Sequence, residues 1–448
     1  MKEEKYILSF YGDDFTGSTD VMETLALNGM PAALFLDAPT KEEVQSFQLK
    51  NKVGGDQLEA FGVAGIARSL TPDAMMMELN PIFKALSEIP VQFFQYKVCS
   101  TLDSSPDIGN IGIATDIALQ YFPSAKVPLV IGAPFLNRFV TFSNLFARLE
   151  NNVYRIDRHP VMSRHPVTPM NEGDIRQHLG AQTKRAFETY DLLQLRSKAD
   201  FSLKTDPSID TPYLLFDTIE DQDLVTIAKM LWEARNNTPQ LLIGSSGISY
   251  GLARHLRSNE KEVVPETPRI SARSQILVAA GSCSPVTERQ LRFAMTKGMQ
   301  GIRIDTLKLL QNRVNEIERV FLEALQKLKD GKSPLIYTAL GPDDTGIVHL
   351  KSQSNQMRNT LLGESIGEIV SRILSIYPPL RTVIVGGDTS GYVSRYLKIY
   401  ALETMAPVAP GAPLCVAHAK DKRFDGREIA LKGGQNGKDD YFQRILGR

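Results

Sequence analysis

Two adjacent acids, Asp13 and Asp14, stand in the stretch YGDDFTGSTD (11–20), between a short apolar run and a stretch that reads as a helix. A carboxylate there can orient or deprotonate a hydroxyl, or bind the hydroxyls of a substrate. Side chains alternate along a strand, so the two acids are expected to face different ways, one free for chemistry and one structural. Thr16 and Gly17 start the helix, whose free N–H groups favour a carboxylate or phosphate. The plainer reading is a capped strand-to-helix turn, and this stretch alone does not separate the two.

A second polar cluster is YKVCSTLDSSP (96–106). Lys97 supplies charge, and Ser100, Thr101 and Ser104 supply hydroxyls, which suits an anionic polyhydroxy ligand; the alternative is a solvated lysine at a strand end. RIDRHPVMSRHPVTP (155–169) contains Arg-His-Pro twice. His159 and His165 lack a third spaced ligand, so a metal centre is disfavoured. Arg158 and Arg164 suit a carboxylate or phosphate, or the segment is a rigid lid or interface.

The C-terminal half places glycine-rich turns after apolar runs. GSCSPVT (281–287) has Gly281, then Ser282 and Ser284, then Pro285, which suits a first helical turn. GGDTSG (386–391) offers Gly386, Gly387, Asp388 and Thr389, and KGGQNG (432–437) offers Gly434. Glycines let backbone approach a ligand, and N–H groups at a helix start favour phosphate. Ordinary turns capped by Asp388, Thr389 or Ser282 are the alternative, but three such turns together favour a nucleotide site. No Walker A is complete: Gly331-Lys332-Ser333 has Gln326 where the first glycine is required. No GxGxxG follows a strand, and GSSGIS is not a nucleophile elbow.

The elements that must position these residues alternate. Apolar runs at 6–11, 32–36, 61–66, 91–96 and 128–133 are separated by helix-like stretches at 19–29, 71–88 and 108–121. Strands spaced by helices predict βαβ units and a parallel sheet. Residues 150–210 show no clear period and read as a long ordered loop. The rhythm resumes at 213–217, 220–235 and 240–247, and RSNEKEVVPETPRISARS (257–274) reads as the domain boundary. Beyond it, strands at 275–281, 301–305, 334–340, 381–387, 413–418 and 428–434 accompany helices at 306–329 and 360–376. The expected fold is α/β with two domains, 1–260 and 270–448, each a mainly parallel sheet flanked by helices.

The 448 residues carry 51 basic and 51 acidic side chains, so nothing points to nucleic acid or an anionic membrane as partner. Cys99, Cys283 and Cys415 form no disulfide framework, and no run reaches the length of a signal peptide or membrane helix, so a cytoplasmic protein is expected.

DDFTG, YK..ST, GSCSPVT, GGDTSG and the closing KGG…G, in that order, resemble the four-carbon acid sugar kinase family, whose members act on D-threonate, D-erythronate, 3-oxo-tetronate and, in a related branch, 3-oxo-isoapionate. The resemblance covers nearly the whole chain. It implies an N-terminal domain binding a sugar acid, a C-terminal domain binding ATP with Mg²⁺, and phosphoryl transfer to a terminal hydroxyl in the cleft between them. It implies nucleotide contacts at Ser282 or Ser284, Gly386, Gly387, Asp388, Thr389 and Gly434, and substrate contacts at Asp14, Asp13, Lys97 and Ser100. Asp14 is the expected base. The metal ligands stay unassigned, and a homodimer is left open. Two motifs depart from the family. KVCSTLDSS replaces KIDSTLRG, with Cys99 at the acid position and Asp103 at the arginine position, and KGGQNG replaces KSGNFG. A sugar-phosphate lyase or hydrolase, or a non-catalytic sensor on the same scaffold, is the alternative.

Overall fold

A computed structural model describes residues 6–165, 167–197, 199–204, 210–257, 267–350, 355–377 and 380–447. The chain divides into two compact units, Met1–Pro265 and Glu266–Arg448.

The first unit begins β1 (Tyr6–Gly12), α1 (Phe15–Leu27), β2 (Ala32–Phe35), α2 (Lys41–Gln45), β3 (Ala60–Ala64), α3 (Pro72–Ser87), β4 (Val91–Lys97), α4 (Ile111–Tyr121) and β5 (Val127–Val130). It continues with β6 (Arg138–Thr141), β7 (Asn144–Leu149), β8 (Asn152–Arg155), α5 (Ile175–Gly180), β9 (Phe187–Tyr190), α6 (Leu192–Ser197), β10 (Tyr213–Phe216), α7 (Asp221–Ala234), β11 (Gln240–Gly244) and α8 (Ser246–Arg257). Its main sheet runs β2-β3-β1-β4-β11-β5-β10-β9, and every neighbouring pair is parallel. Helices cover parallel strands on both faces, so their residues are buried regardless of alternation; the last five residues of β1 and all of β10 are accordingly buried.

Two expectations are corrected. The first helix starts at Phe15, before Thr16 and ahead of the helical stretch at 19–29, because the Asp14 side chain accepts the Gly17 N–H and caps it. The segment 150–210 is not a long loop: it holds β8, α5, β9 and α6, and β6, β7 and β8 form an antiparallel sheet of their own. Its first turn is Phe142-Ser143, both at positive φ (45° and 65°) without glycine. The Asp217 carboxylate, just after β10, accepts both turn N–H groups at 2.6 and 3.0 Å and so holds them in place.

The second unit contains β12 (Ile276–Ala280), α9 (Pro285–Thr296), β13 (Gln300–Arg303), α10 (Thr306–Gln311), α11 (Arg313–Lys329), β14 (Pro334–Tyr337) and α12 (Asn355–Ile376). Then come β15 (Arg381–Val385), α13 (Gly387–Tyr396), β16 (Ile399–Ala406), β17 (Leu414–Ala419), β18 (Glu428–Lys432) and α14 (Tyr441–Leu446). The strand order is β13-β14-β12-β15-β18-β17-β16. All pairs are parallel except β17 with β18 and with β16, so the sheet is mainly parallel. The helix expected over 306–329 is broken at Asn312, whose side chain caps α11. No helix among the described residues is long and apolar enough to cross a membrane.

Arg381, at the start of β15, is fully buried. It donates to Glu428 at 2.5 Å, to the Ser271 carbonyl at 2.9 Å and to the Ile445 carbonyl at 2.6 Å, tying β18 and α14 to the sheet. Arg381→Met leaves the Ser271 and Ile445 carbonyls without this donor, while Arg273 still pairs with Glu428. It should destabilise the second unit by about 1–3 kcal/mol, read as an earlier urea transition of that unit.

Candidate active site

In the first unit, the loops after β1, β3 and β4 converge. Gly12 of β1 and Gly244 of β11 flank Lys97 of β4 in register. The Asp13 N–H donates to the Lys97 carbonyl at 3.0 Å. Its buried carboxylate takes two bonds from Arg68, Nη2 to Oδ1 at 2.7 Å and Nε to Oδ2 at 3.2 Å. Arg68 sits in the 3₁₀ turn Ala67–Ser69 after β3. Burial pushes the Asp13 carboxyl up and the Arg68 guanidinium works against it. Asp13 is thus committed to structure.

Asp14 is the accessible acid, with 29% of its side chain exposed. Its Oδ1 receives the Gly17 N–H and the Arg68 guanidinium, each at 2.8 Å, while Oδ2 accepts nothing among the described residues. Gly17 is required here: a Cβ would lie 2.5 Å from Asp14 Oδ1 and 2.8 Å from Lys97 Nζ. The carboxylate and the buried ammonium therefore flank one point at the start of α1. The Thr16 and Ser100 hydroxyls are half-buried and unpartnered among the described residues. Beside Ser100, burial pushes the Cys99 thiol up to about 11, so it is protonated and no nucleophile at neutral pH.

Arg158 and Arg164 end two short 3₁₀ turns, Ile156–Arg158 and Met162–Arg164. Both are exposed, and no contact among the described residues joins them to Asp14, Lys97 or Ser100. His159 Nδ1 accepts the N–H groups of Val161 and Met162, both at 3.2 Å, and His165 Nδ1 accepts that of Thr168 at 3.1 Å. Both rings shape their own loop.

In the second unit, the three glycine-rich turns meet at the carboxyl ends of the adjacent strands β12, β15 and β18. The Gly386 N–H donates to the Lys432 carbonyl at 2.9 Å, and Ser284 Oγ donates to the Gly434 carbonyl at 2.5 Å. Close approach leaves no room for side chains. A Cβ on Gly281 would lie 2.1 Å from Thr389 Oγ1, and one on Gly434 2.2 Å from Ser282 Oγ. The two helix starts differ. Ser284 caps α9 through the Thr287 N–H. Gly386, at φ 121°, gives α13 no side-chain cap, and space beside Gly387 is open. The first N–H groups of α13 are thus available to a ligand. Asp388 is exposed and accepts from Asn359 Nδ2 at 2.6 Å, while Thr389 is buried.

Residues 8–252 match the family model for a sugar-binding N-terminal domain, and residues 277–442 match that for a nucleotide-binding C-terminal domain. The chain is 40% identical to a 3-oxo-isoapionate kinase from Paraburkholderia graminis, over 98% of this chain and 94% of the relative. The chain belongs to the four-carbon acid sugar kinase family. It is a phosphotransferase that acts on a sugar acid. It is also 25% identical to a 3-oxo-tetronate kinase from Pectobacterium atrosepticum, over 98% of both chains. A crystal structure of a Salmonella typhimurium LT2 protein shares the fold, with a TM-score of 0.74 at 22% identity over 98% of both chains.

Three residues of this kinase escaped the motif reading. Arg68 lies outside every motif, and only the fold shows it clamping Asp13. Asp20 closes the stretch YGDDFTGSTD; burial pushes its carboxyl up, Lys97 pulls it down and Asp14 raises it, so it shares the field of the site. Lys432 opens KGGQNG but is wholly buried, with Nζ 3.0 Å from Gln290 Oε1. The Gln290 amide in turn donates to the carbonyls of Asn436, Gly437 and Lys438, shaping the turn.

Gly434→Ala should abolish the thermal stabilisation that nucleotide confers, measured as the loss of a Tm shift, and should also lower the ligand-free Tm, because its Cβ would lie 2.2 Å from Ser282 Oγ. Burial lowers Lys432 from 10.5 to about 7. Between about pH 7 and about pH 10 the unfolded lysine holds a proton that the folded one has shed, so stability rises with pH. Wild type should gain stability relative to Lys432→Met across that window and show a constant difference below it, measured by denaturant unfolding at several pH values.

Proposed function

We propose that this protein transfers the γ-phosphoryl group of ATP to a terminal hydroxyl of 3-oxo-isoapionate or a closely similar branched 3-oxo sugar acid. The observation that carries the substrate choice is the 40% identity to a 3-oxo-isoapionate kinase over nearly the full length of both chains. The 25% identity to a 3-oxo-tetronate kinase is weaker support for a straight-chain acid.

Phosphoryl transfer depends on positioning and charge neutralisation more than on covalent chemistry. In this reading the first unit holds the acceptor. Asp14 orients the attacking hydroxyl and takes its proton at the free Oδ2. Lys97 holds negative charge beside it, and the unpartnered hydroxyls of Thr16 and Ser100 hydrogen-bond the sugar acid. Asp13 acts through Arg68 to keep the loop in place. The second unit holds ATP. The uncapped start of α13, with Gly386, Gly387, Asp388 and Thr389, receives phosphate oxygens, and Gly434 lets the third turn close on them. Ser282 and Ser284 build that turn.

Among the described residues no group of three His, Cys, Asp or Glu side chains could hold a metal ion unaided. Mg²⁺ binds through phosphates with one or two carboxylates, and Asp388 is the exposed acid at the α13 start. When bound with the nucleotide, Mg²⁺ supplies neutralisation of phosphate charge. Arg158 and Arg164 contribute only if their segment carries them toward the acceptor.

The test is a panel of tetronates, 3-oxo-tetronates and branched 3-oxo acids with ATP. Turnover is expected to be highest with 3-oxo-isoapionate, and Asp14→Asn should lower kcat by about 10²–10⁴-fold with little change in ATP affinity. Near wild-type turnover by a folded Asp14→Asn protein would remove Asp14 as the base.

A further inference from the structure

We propose that Arg138 receives the carboxylate of the sugar acid and so selects acids over neutral sugars. This rests on the sugar-acid kinase reading above. Arg138 opens β6, the first strand of the small antiparallel sheet. Its Nη1 donates to the Leu136 carbonyl at 2.9 Å and to the Asn137 carbonyl at 3.1 Å. Those two bonds fix the guanidinium plane from one end.

The other edge has no acceptor among the described residues. Nε is buried without a hydrogen-bond acceptor. Nη2 has no partner among the described residues, and Arg138 forms no ion pair there. Nε and Nη2 are the two parallel donors that match the two oxygens of a carboxylate. Leaving such a donor buried and unmet is unfavourable, and an arriving anion relieves it. An arginine held by backbone carbonyls, with Nε and Nη2 both unmet among the described residues, is oriented as an anion receptor before its ligand arrives.

The neighbourhood points to the acceptor site: Ala133, just after β5, exchanges backbone hydrogen bonds with Arg138 at 3.0 and 3.1 Å, and only β11 separates β5 from β4, which carries Lys97. Cys99 and Asp103, on the loop after β4 that also carries Ser100, act electrostatically on Arg138. That loop continues directly from Lys97. The Asp103 carboxylate is engaged by Thr101 Oγ1 at 2.7 Å and does not pair with Arg138. His159 lies in the field of the same guanidinium. Its Nδ1 accepts two backbone N–H groups, so its proton sits on Nε2. Burial, and then Arg138, lowers its pKa and keeps the ring neutral. The group is thus a fixed cation and a neutral donor beside a hydroxyl-bearing loop.

The experiment compares wild type, Arg138→Met and Arg138→Lys on the best acid of the panel and on its methyl ester. It measures kcat and KM, and also binding of the acid by calorimetry without nucleotide. Loss of a charge-assisted pair should raise KM and Kd for the acid by about ten- to a hundredfold. The ester should be nearly unaffected, and kcat should change less than KM. Arg138→Lys should recover only part of the affinity, because an ammonium lacks the two-donor edge. Nucleotide-induced Tm shifts confirm that each variant is folded. Equal losses for acid and ester, or no loss for the acid, would overturn the assignment. An acid that binds in an Arg138-dependent way but is never phosphorylated would defeat the kinase reading and support this site. Turnover indifferent to Arg138 would do the reverse.

Discussion

Parallel strand pairing is the constraint from which both half-sites follow. It sends the carboxyl ends of neighbouring strands to one edge, where the crossover helices begin with their N–H groups unsatisfied. Ligands bind there, at the point where the chain's progress across the sheet reverses. In the first unit β3 lies on one side of β1 and β4 on the other, so the reversal falls at β1, and Asp13 and Asp14 follow it directly. In the second, β14 flanks β12 on one side and β15 on the other. Gly281 follows β12, and Gly386 follows β15. The same topology, reached by two unrelated stretches of sequence, yields an acid pair in one unit and a glycine cradle in the other.

Within the acid pair, charge logic divides the labour. Two adjacent carboxylates, one of them buried, repel each other and lose hydration. Arg68 answers both problems: it gives Asp13 two hydrogen bonds and also reaches Asp14 at 2.8 Å. Asp13 loses freedom, and Asp14 keeps one oxygen for a ligand. The close quarters then fix Gly17, since any side chain there would displace either the carboxylate or Lys97.

Much of this was legible in the sequence because it is local. Apolar runs punctuated by helical stretches announced the parallel sheets, and turn residues after each run marked the edge where ligands bind. That Asp13 and Asp14 play different parts was expected from strand alternation, but β1 ends at Gly12 and Asp14 caps α1; what divides them is Arg68, which is 55 residues away from Asp13 in sequence. The small sheet β6-β7-β8 was invisible for a physical reason. Its first turn carries Phe142 and Ser143 at positive φ, where glycine or asparagine would have signalled a hairpin. The turn is held by Asp217, which lies far along the chain. Arg138 was missed with it: a single arginine between the run at 128–133 and the segment 150–210, in no motif. The departures KVCSTLDSS and KGGQNG were legible as spellings, but what they cost or supply depends on neighbours that only the fold assembles.

The glycine cradle sharpens what a serine at such a turn does. Ser282 reads as a phosphate contact or as a cap, and the resemblance implies a nucleotide contact at Ser282 or Ser284. In the structure Ser284 caps α9 and donates to the Gly434 carbonyl, so its hydroxyl proton is spent on the cradle, whereas Ser282 Oγ only accepts, from the Ser284 N–H at 3.3 Å and from Thr287 Oγ1 at 3.3 Å, and keeps its proton for a ligand. The start of α13 has no such occupant: Gly386 supplies no cap, and Gly387 faces open space. Backbone N–H groups can meet several phosphate oxygens at once, and they do not change charge with pH. A hydroxyl already donating to a carbonyl would have to break that bond first. The division is therefore the same as in the acid pair: one member of each motif is spent on geometry so that the other is left free.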